Sequence, residues 1–139
     1  MHNYVLLLLL NDRNEVLLFR RINARFGNNE YCLVGGKIEA GESARQAMVR
    51  ETKEEIGLDI AIENLTLEHT LHRKGDDTAF FALIFSVSPW QGNPINNEPH
   101  KHADLAWFAL DAIPKNTLSA HRQALALIQK KIQYSEHGW

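Results

Sequence analysis

Three glutamates within five residues, Glu51, Glu54 and Glu55, are the first feature with chemical consequences. On a helix turning about 100° per residue they fall within an arc of roughly 100°. Ala44, Ala47 and Met48 project to the same side, whereas Gln46, Arg50 and Lys53 point away from it. The acids therefore continue a face that begins small and apolar, which aims them toward the protein or a cleft. This placement violates two local preferences. Like charges at i,i+3 and i,i+4 each cost about 0.2–0.5 kcal/mol. Anions in the last helical turn oppose the dipole by about 0.3–1 kcal/mol each. A divalent cation removes these penalties, and clustered carboxylates suit Mg²⁺ or Mn²⁺, hard ions that take oxygen ligands. Taken alone, the same segment also reads as a solvated glutamate-rich helix with an Arg50–Glu54 salt bridge.

The elements that must position these acids are legible around them. Ser43 is an N-cap candidate and Gly57 a left-handed stop, which bounds a helix ending at Ile56. Before it, Val5–Leu10 and Glu15–Arg20 read as strands joined by the polar turn 11–14, a hairpin signal. Arg21 to Glu30 reads as a loop, and Tyr31–Val34 as a short strand that stops at Gly35-Gly36. After the helix come strands around Leu65–Arg73 and Thr78–Val87, then a loop, Ser88–Ala103, with Pro89, Pro94 and Pro99. Leu105–Leu110 is a further strand, and Ser119–Tyr134 an amphipathic helix with Ala120, Ala124, Leu127, Ile128 and Ile132 on its apolar side. Strands and helices alternate irregularly, which implies a mixed sheet with helices packed on it.

Composition limits the class. The chain has 139 residues, 45% hydrophobic and 23% charged, with a formal net charge of -2. It is expected to be one domain over residues 1–139, with apolar material for one core. The charge supplies no basic field, so nucleic-acid binding is not expected. A lone cysteine, Cys32, excludes an internal disulfide framework and a cysteine-based zinc site. The apolar run Val5–Leu10 is too short to span a bilayer and lacks the flanks of a signal peptide, so a soluble cytoplasmic protein is expected, with no membrane partner.

From Gly36 to Leu58 the sequence GKIEAGESARQAMVRETKEEIGL resembles the Nudix box, G-x5-E-x7-R-E-U-x-E-E-x-G-U, where U is Leu, Ile or Val. Gly36, Glu42, Arg50, Glu51, Glu54, Glu55, Gly57 and Leu58 match, and Thr52 at the first U is the departure. EVLLFRR at Glu15–Arg21, the stretch from Gly35 to Glu39, and Trp90 to Pro94 followed by Glu98 resemble MutT-like members, with Val34 where those relatives often carry proline. The resemblance implies a Nudix fold, an α/β/α sandwich around a mixed sheet. It implies hydrolysis of a nucleoside diphosphate linked to another group, with Mg²⁺ or Mn²⁺.

By matching position, Glu51, Glu54 and Glu55 are the expected metal ligands, with the carbonyl of Gly36. Arg50 is expected to hold a carboxylate, that of Glu51, in place. Glu42 either assists the metal or favours the helix dipole. Glu54, Glu55 and Glu98 are the candidates to take a proton from the attacking water. Arg21 rather than Arg20 is expected to face the cleft and a substrate phosphate, the alternative being a surface arginine. Lys37 beside the glycine pair and Asn116 are the other substrate candidates, Asn116 also reading as a turn residue. The preferred substrate is a nucleoside triphosphate, giving the monophosphate and pyrophosphate. ADP-ribose or another nucleoside diphosphate derivative is the alternative within enzymes, and a non-catalytic nucleotide sensor the alternative outside them. A homodimer is the expected assembly. His69, His72, His100 and His102 read as surface or cleft polar groups, with His100 or His102 near substrate. Trp90, Trp107 and Tyr31 read as packing residues.

Overall fold

The computed structural model describes residues 2–139. Its strands are β1 (Tyr4–Leu8), β2 (Glu15–Arg21), β3 (Tyr31–Lys37), β4 (Leu65–Lys74), β5 (Ala79–Val87), β6 (His102–Ala109) and β7 (Tyr134–His137), and its α-helices α1 (Ala44–Ile56) and α2 (Ser119–Gln129). The strands form one mixed sheet in the order β6-β2-β3-β1-β5-β4-β7. The pairs β1–β5 and β4–β7 are parallel and the rest antiparallel.

β1 lies at the centre, and its unbroken apolar sequence follows from burial on both faces. Val5 and Leu7 pack with Phe19, Val34 and the α1 residues Ala47, Met48 and Ile56. Leu6 and Leu8 pack on the other face with Leu18, Leu33, Ile84 and the α2 residues Ala120, Ala124 and Leu125. One helix therefore covers each face, which is the expected α/β/α sandwich.

Four local expectations change. The turn at 11–14 forms, with Asn11 Oδ1 accepting the Arg13 and Glu15 N–H groups, both at 3.0 Å. Yet β1 and β2 meet only near the turn, at the Leu10–Val16 bridge, because β3 enters between them. The glycine pair does not end β3. Gly35 lies within the strand opposite Leu6, where a Cβ would run into the Val5 carbonyl oxygen, so glycine here permits a close strand approach rather than a stop. β6 begins at His102, inside the segment read as a loop, with Asp104 at φ 52°. Finally, α2 ends at Gln129 and the chain turns through Lys131 at φ 60° into β7, leaving Ile132 exposed.

His69 corrects the reading of that histidine as a surface or cleft group. It is fully buried, with Nδ1 2.8 Å from the Ile132 carbonyl and Nε2 2.7 Å from Ser135 Oγ, and so pins the turn and β7 to β4. His121 on α2 is also buried, and its Nδ1 accepts the Leu33 N–H at 3.2 Å. Burial pushes its pKa down from 6.5 to about 3. An unfolded chain therefore takes up a proton that the folded chain refuses. The stabilisation is complete above about pH 6.5 and is lost as pH falls toward 3, by up to roughly 1.4 kcal/mol per pH unit. Denaturant unfolding between pH 6 and 4 is expected to show a shallower loss of stability in His121→Gln than in wild type; parallel pH dependences would contradict this role.

Candidate active site

α1 is fixed at both ends, and that sets where its acids stand. Gln46 N–H donates to Ser43 Oγ at 3.1 Å and Ser43 N–H to Gln46 Oε1 at 2.8 Å, a reciprocal capping box. Gly57 closes the helix at φ 72°, its N–H donating to the Lys53 carbonyl at 3.1 Å. Glu51, Glu54 and Glu55 thus occupy the final two turns. Their burial is graded: Glu55 is buried, Glu51 is half-buried, and Glu54 is exposed on the open side. The expected inward face applies to Glu55 and Glu51 and not to Glu54.

Arg50 corrects the helical projection that sent it away from the acids. Its long side chain bends back. Nε and Nη2 donate to the two Glu42 carboxylate oxygens at 3.0 and 2.6 Å. Nη1 donates to Glu51 Oε1 at 2.9 Å and to Glu54 Oε2 at 3.2 Å. Nη2 also donates to the Lys37 carbonyl at 2.9 Å, tying the helix to the end of β3. The guanidinium, together with the Glu39 N–H, pulls the Glu42 pKa down to about 2. Glu42 is thereby committed to Arg50.

The backbone at Gly36 lies directly against the Glu51 carboxylate, where any Cβ would collide with it. Beside it, Gly35 N–H donates to Glu55 Oε1 at 2.7 Å. Burial, reinforced by Glu51 and Glu98, pushes Glu55 up to about 9 despite this hydrogen bond. Burial likewise raises Glu51. Carboxylates crowded until they resist ionisation, with a main chain cleared of side chains beside them, form an oxygen-rich donor set that fits a hard divalent cation.

Glu98 arrives from the 88–101 loop. Ile95 N–H donates to the Ile56 carbonyl at 2.9 Å and Asn97 N–H to the Glu55 carbonyl at 3.0 Å, which lays this loop along the end of α1. Ligand atoms of Glu55, Glu98 and His102 lie within 4.8 Å of one another. His102 is buried, stacks on Phe19 at 3.6 Å between centroids, and points Nε2 toward Glu55 Oε2 at 3.8 Å. Burial lowers its pKa to about 4, so the ring is neutral near pH 7.

A cleft of about 390 Å³ opens here, lined by Gly35, Gly36, Glu55, His102, Arg21 and Phe26 among others. Arg21 faces it, its Nε donating to the Phe26 carbonyl at 3.1 Å, while Arg20 turns to Asp104 at 2.7 Å. Lys37 and Asn116 do not line the cleft. The Lys37 side chain is exposed at the end of β3. The Asn116 amide donates to the Asn29 carbonyl at 2.8 Å, consistent with its reading as a turn residue. Trp90 stacks with Trp107 and donates to the Leu10 carbonyl at 3.0 Å, and Tyr31 meets Phe108 edge-on, as packing residues do. Sequence reasoning passed over Phe26, Arg73, Phe80 and His121, which line the cleft from a loop, two strands and α2. Only the half-buried Arg73 on β4 offered a signal, a cation within an otherwise sheet-forming run.

A NUDIX domain model matches residues 1–128. The chain is 33% identical over 106 residues to the 8-oxo-dGTP diphosphatase of Escherichia coli, covering 75% of this chain and 81% of that protein. It is 33% identical over 109 residues to the NAD-capped RNA hydrolase NudC of Pseudomonas aeruginosa, where the match covers 78% of this chain and 37% of the relative. Among solved structures, the MutT NUDIX hydrolase from Burkholderia pseudomallei superposes with a TM-score of 0.81 at 28% identity, covering 90% of this chain and 95% of that one. With the family model spanning most of its length and the box residues gathered at one end of the sheet, the chain belongs to the Nudix family.

Proposed function

We propose that this Nudix hydrolase is a metal-dependent pyrophosphohydrolase that cleaves a nucleoside triphosphate to the monophosphate and pyrophosphate. The observations that support the reading are the Glu51 carboxylate against the bare backbone of Gly36, Glu54 sharing the Arg50 guanidinium with it, the grouping of Glu55 with Glu98 and His102, and Arg21 in the adjoining cleft. Glu51, Glu54, Glu55 and the Gly36 carbonyl would hold Mg²⁺ or Mn²⁺. When bound, the ion neutralises phosphoryl charge and acidifies water. Arg50 holds Glu51 and Glu54 in orientation, and Glu42 in turn holds Arg50. Glu98, on a loop braced against α1, takes the proton from the attacking water, and Arg21 binds substrate phosphate. The chain acts as one domain in the cytoplasm. This fits the lone, buried Cys32 and the absence, among the described residues, of a helix long and apolar enough to cross a membrane.

A phosphate-release screen over nucleoside triphosphates, oxidised triphosphates, ADP-ribose and nucleotide sugars is expected to give signal from triphosphates only with added pyrophosphatase, and none after EDTA. Signal only from ADP-ribose or a sugar nucleotide with added phosphatase would overturn the substrate class, and EDTA-resistant turnover would overturn the metal. Glu54→Gln is expected to lower kcat by about a hundredfold or more, on the order of 2.7 kcal/mol in the transition state, without altering the unfolding curve. An unchanged kcat would remove Glu54 from the site.

A further inference from the structure

The cleft has a second wall that the carboxylates do not explain. Arg73 on β4 is half-buried, its guanidinium carbon 4.6 Å from the centroid of the Phe26 ring and 6.0 Å from that of Phe80. Among the described residues no carboxylate reaches it within salt-bridge distance, whereas Arg20 pairs with Asp104 and Arg50 with Glu42, Glu51 and Glu54. His121 lies on the same cleft. Its Nδ1 accepts the Leu33 N–H, so the ring proton sits on Nε2, which has no acceptor among the described residues and is not sealed from the cleft. Among the described residues Glu55 is the one carboxylate lining the cleft, and it belongs to the proposed metal end. This wall therefore offers two hydrogen-bond donors with no carboxylate paired to them among the described residues, Glu30 acting on Arg73 only from beyond salt-bridge distance, set among aromatic rings.

We propose that Arg73, backed by His121, is a specificity-determining residue that reads the paired O6 and N7 acceptors of a 6-oxopurine base. This rests on the nucleotide-hydrolase reading above and deepens it to a substrate class. Guanine and hypoxanthine present two adjacent acceptors on that edge. Adenine sets an N6 donor beside N7, and cytosine presents an N4 donor. Donors facing donors leave both sides unpaired in a desolvated cleft, the kind of mismatch a binding site rejects most strongly. A guanidinium held over the Phe26 ring restricts the planar fork, and Phe26 and Phe80 offer a face on which the base stacks. In the proposed function the phosphate contact on this cleft falls to Arg21, which leaves Arg73, with the Phe26 and Phe80 rings beside it, to the base. Oxidation at C8 puts a hydrogen on N7, so the same wall gives no advantage to an oxidised guanine.

The test compares kcat/KM for dGTP, dITP, dATP, dCTP and 8-oxo-dGTP in wild type, Arg73→Met and Arg73→Lys, with calorimetric binding of GMP and AMP in parallel. Wild type is expected to favour dGTP and dITP over dATP by about tenfold or more, the discrimination typical of a paired base-edge contact. Both variants are expected to reduce that ratio to below about threefold, Lys included because it lacks the planar fork. The preference for GMP over AMP should collapse alongside it. A common loss across all nucleotides, or rescue by Lys, would make Arg73 a phosphate contact and overturn the proposal, as would faster turnover of 8-oxo-dGTP than of dGTP. Turnover without base preference defeats the proposal and leaves the hydrolase reading intact. Arg73-dependent preference for GMP without triphosphate turnover does the reverse.

Discussion

The guanidinium of Arg50 is the constraint on which the site depends. It contacts Glu42, Glu51, Glu54 and the Lys37 carbonyl at once, and so joins the loop before α1, the helix itself and the end of β3. Without it, the half-buried Glu42 and Glu51 and the exposed Glu54 would repel one another and splay. With it, their mutual repulsion is partly neutralised, and Arg50 takes only one oxygen each from Glu51 and Glu54, leaving the other outside its grip. The bidentate grip on Glu42 gives this arrangement direction as well as charge, which a lysine could not reproduce.

The second dependence runs through the backbone. Gly35 lets β3 pass close to Val5, and Gly36 clears the space against Glu51, so consecutive glycines serve sheet packing and the site respectively. Glu55 is then sealed between the Gly35 N–H, His102 and the loop bearing Glu98. Its pKa of about 9 reflects a carboxylate held where charge is costly until a cation or a donor arrives. Crowding of this kind is a local conflict that a fold accepts at a functional site.

The sequence made α1 legible because its signals are local: a capping box, a stop glycine and a cluster of acids on one side. The double burial of β1 was legible for a similar reason, since a continuous apolar run has few other uses. What stayed hidden was set by partners distant along the chain. The glycine pair reads as a stop until β1 is laid beside it. The β1–β2 hairpin reads correctly at its turn, yet β3, which follows β2 in the chain, enters to separate the strands. His69 is indistinguishable from a surface histidine until Ile132 and Ser135 are brought to it, and the Arg50 side chain defeats a projection that treats every residue as a radial vector. The acids could be found from spacing and resemblance. The far wall of the cleft, Phe26, Arg73, Phe80 and His121, comes from four separate elements and has no spacing to find.

In the proposed metal site Glu42 orients Arg50 and does not itself take the ion, and a Mn²⁺ titration followed by electron paramagnetic resonance decides this. Glu42→Gln, which loosens the grip on Arg50, is expected to weaken Mn²⁺ binding by about 10- to 100-fold, as loss of an orienting partner does elsewhere. Mn²⁺ affinity equal to that of wild type in a folded Glu42→Gln protein would contradict it.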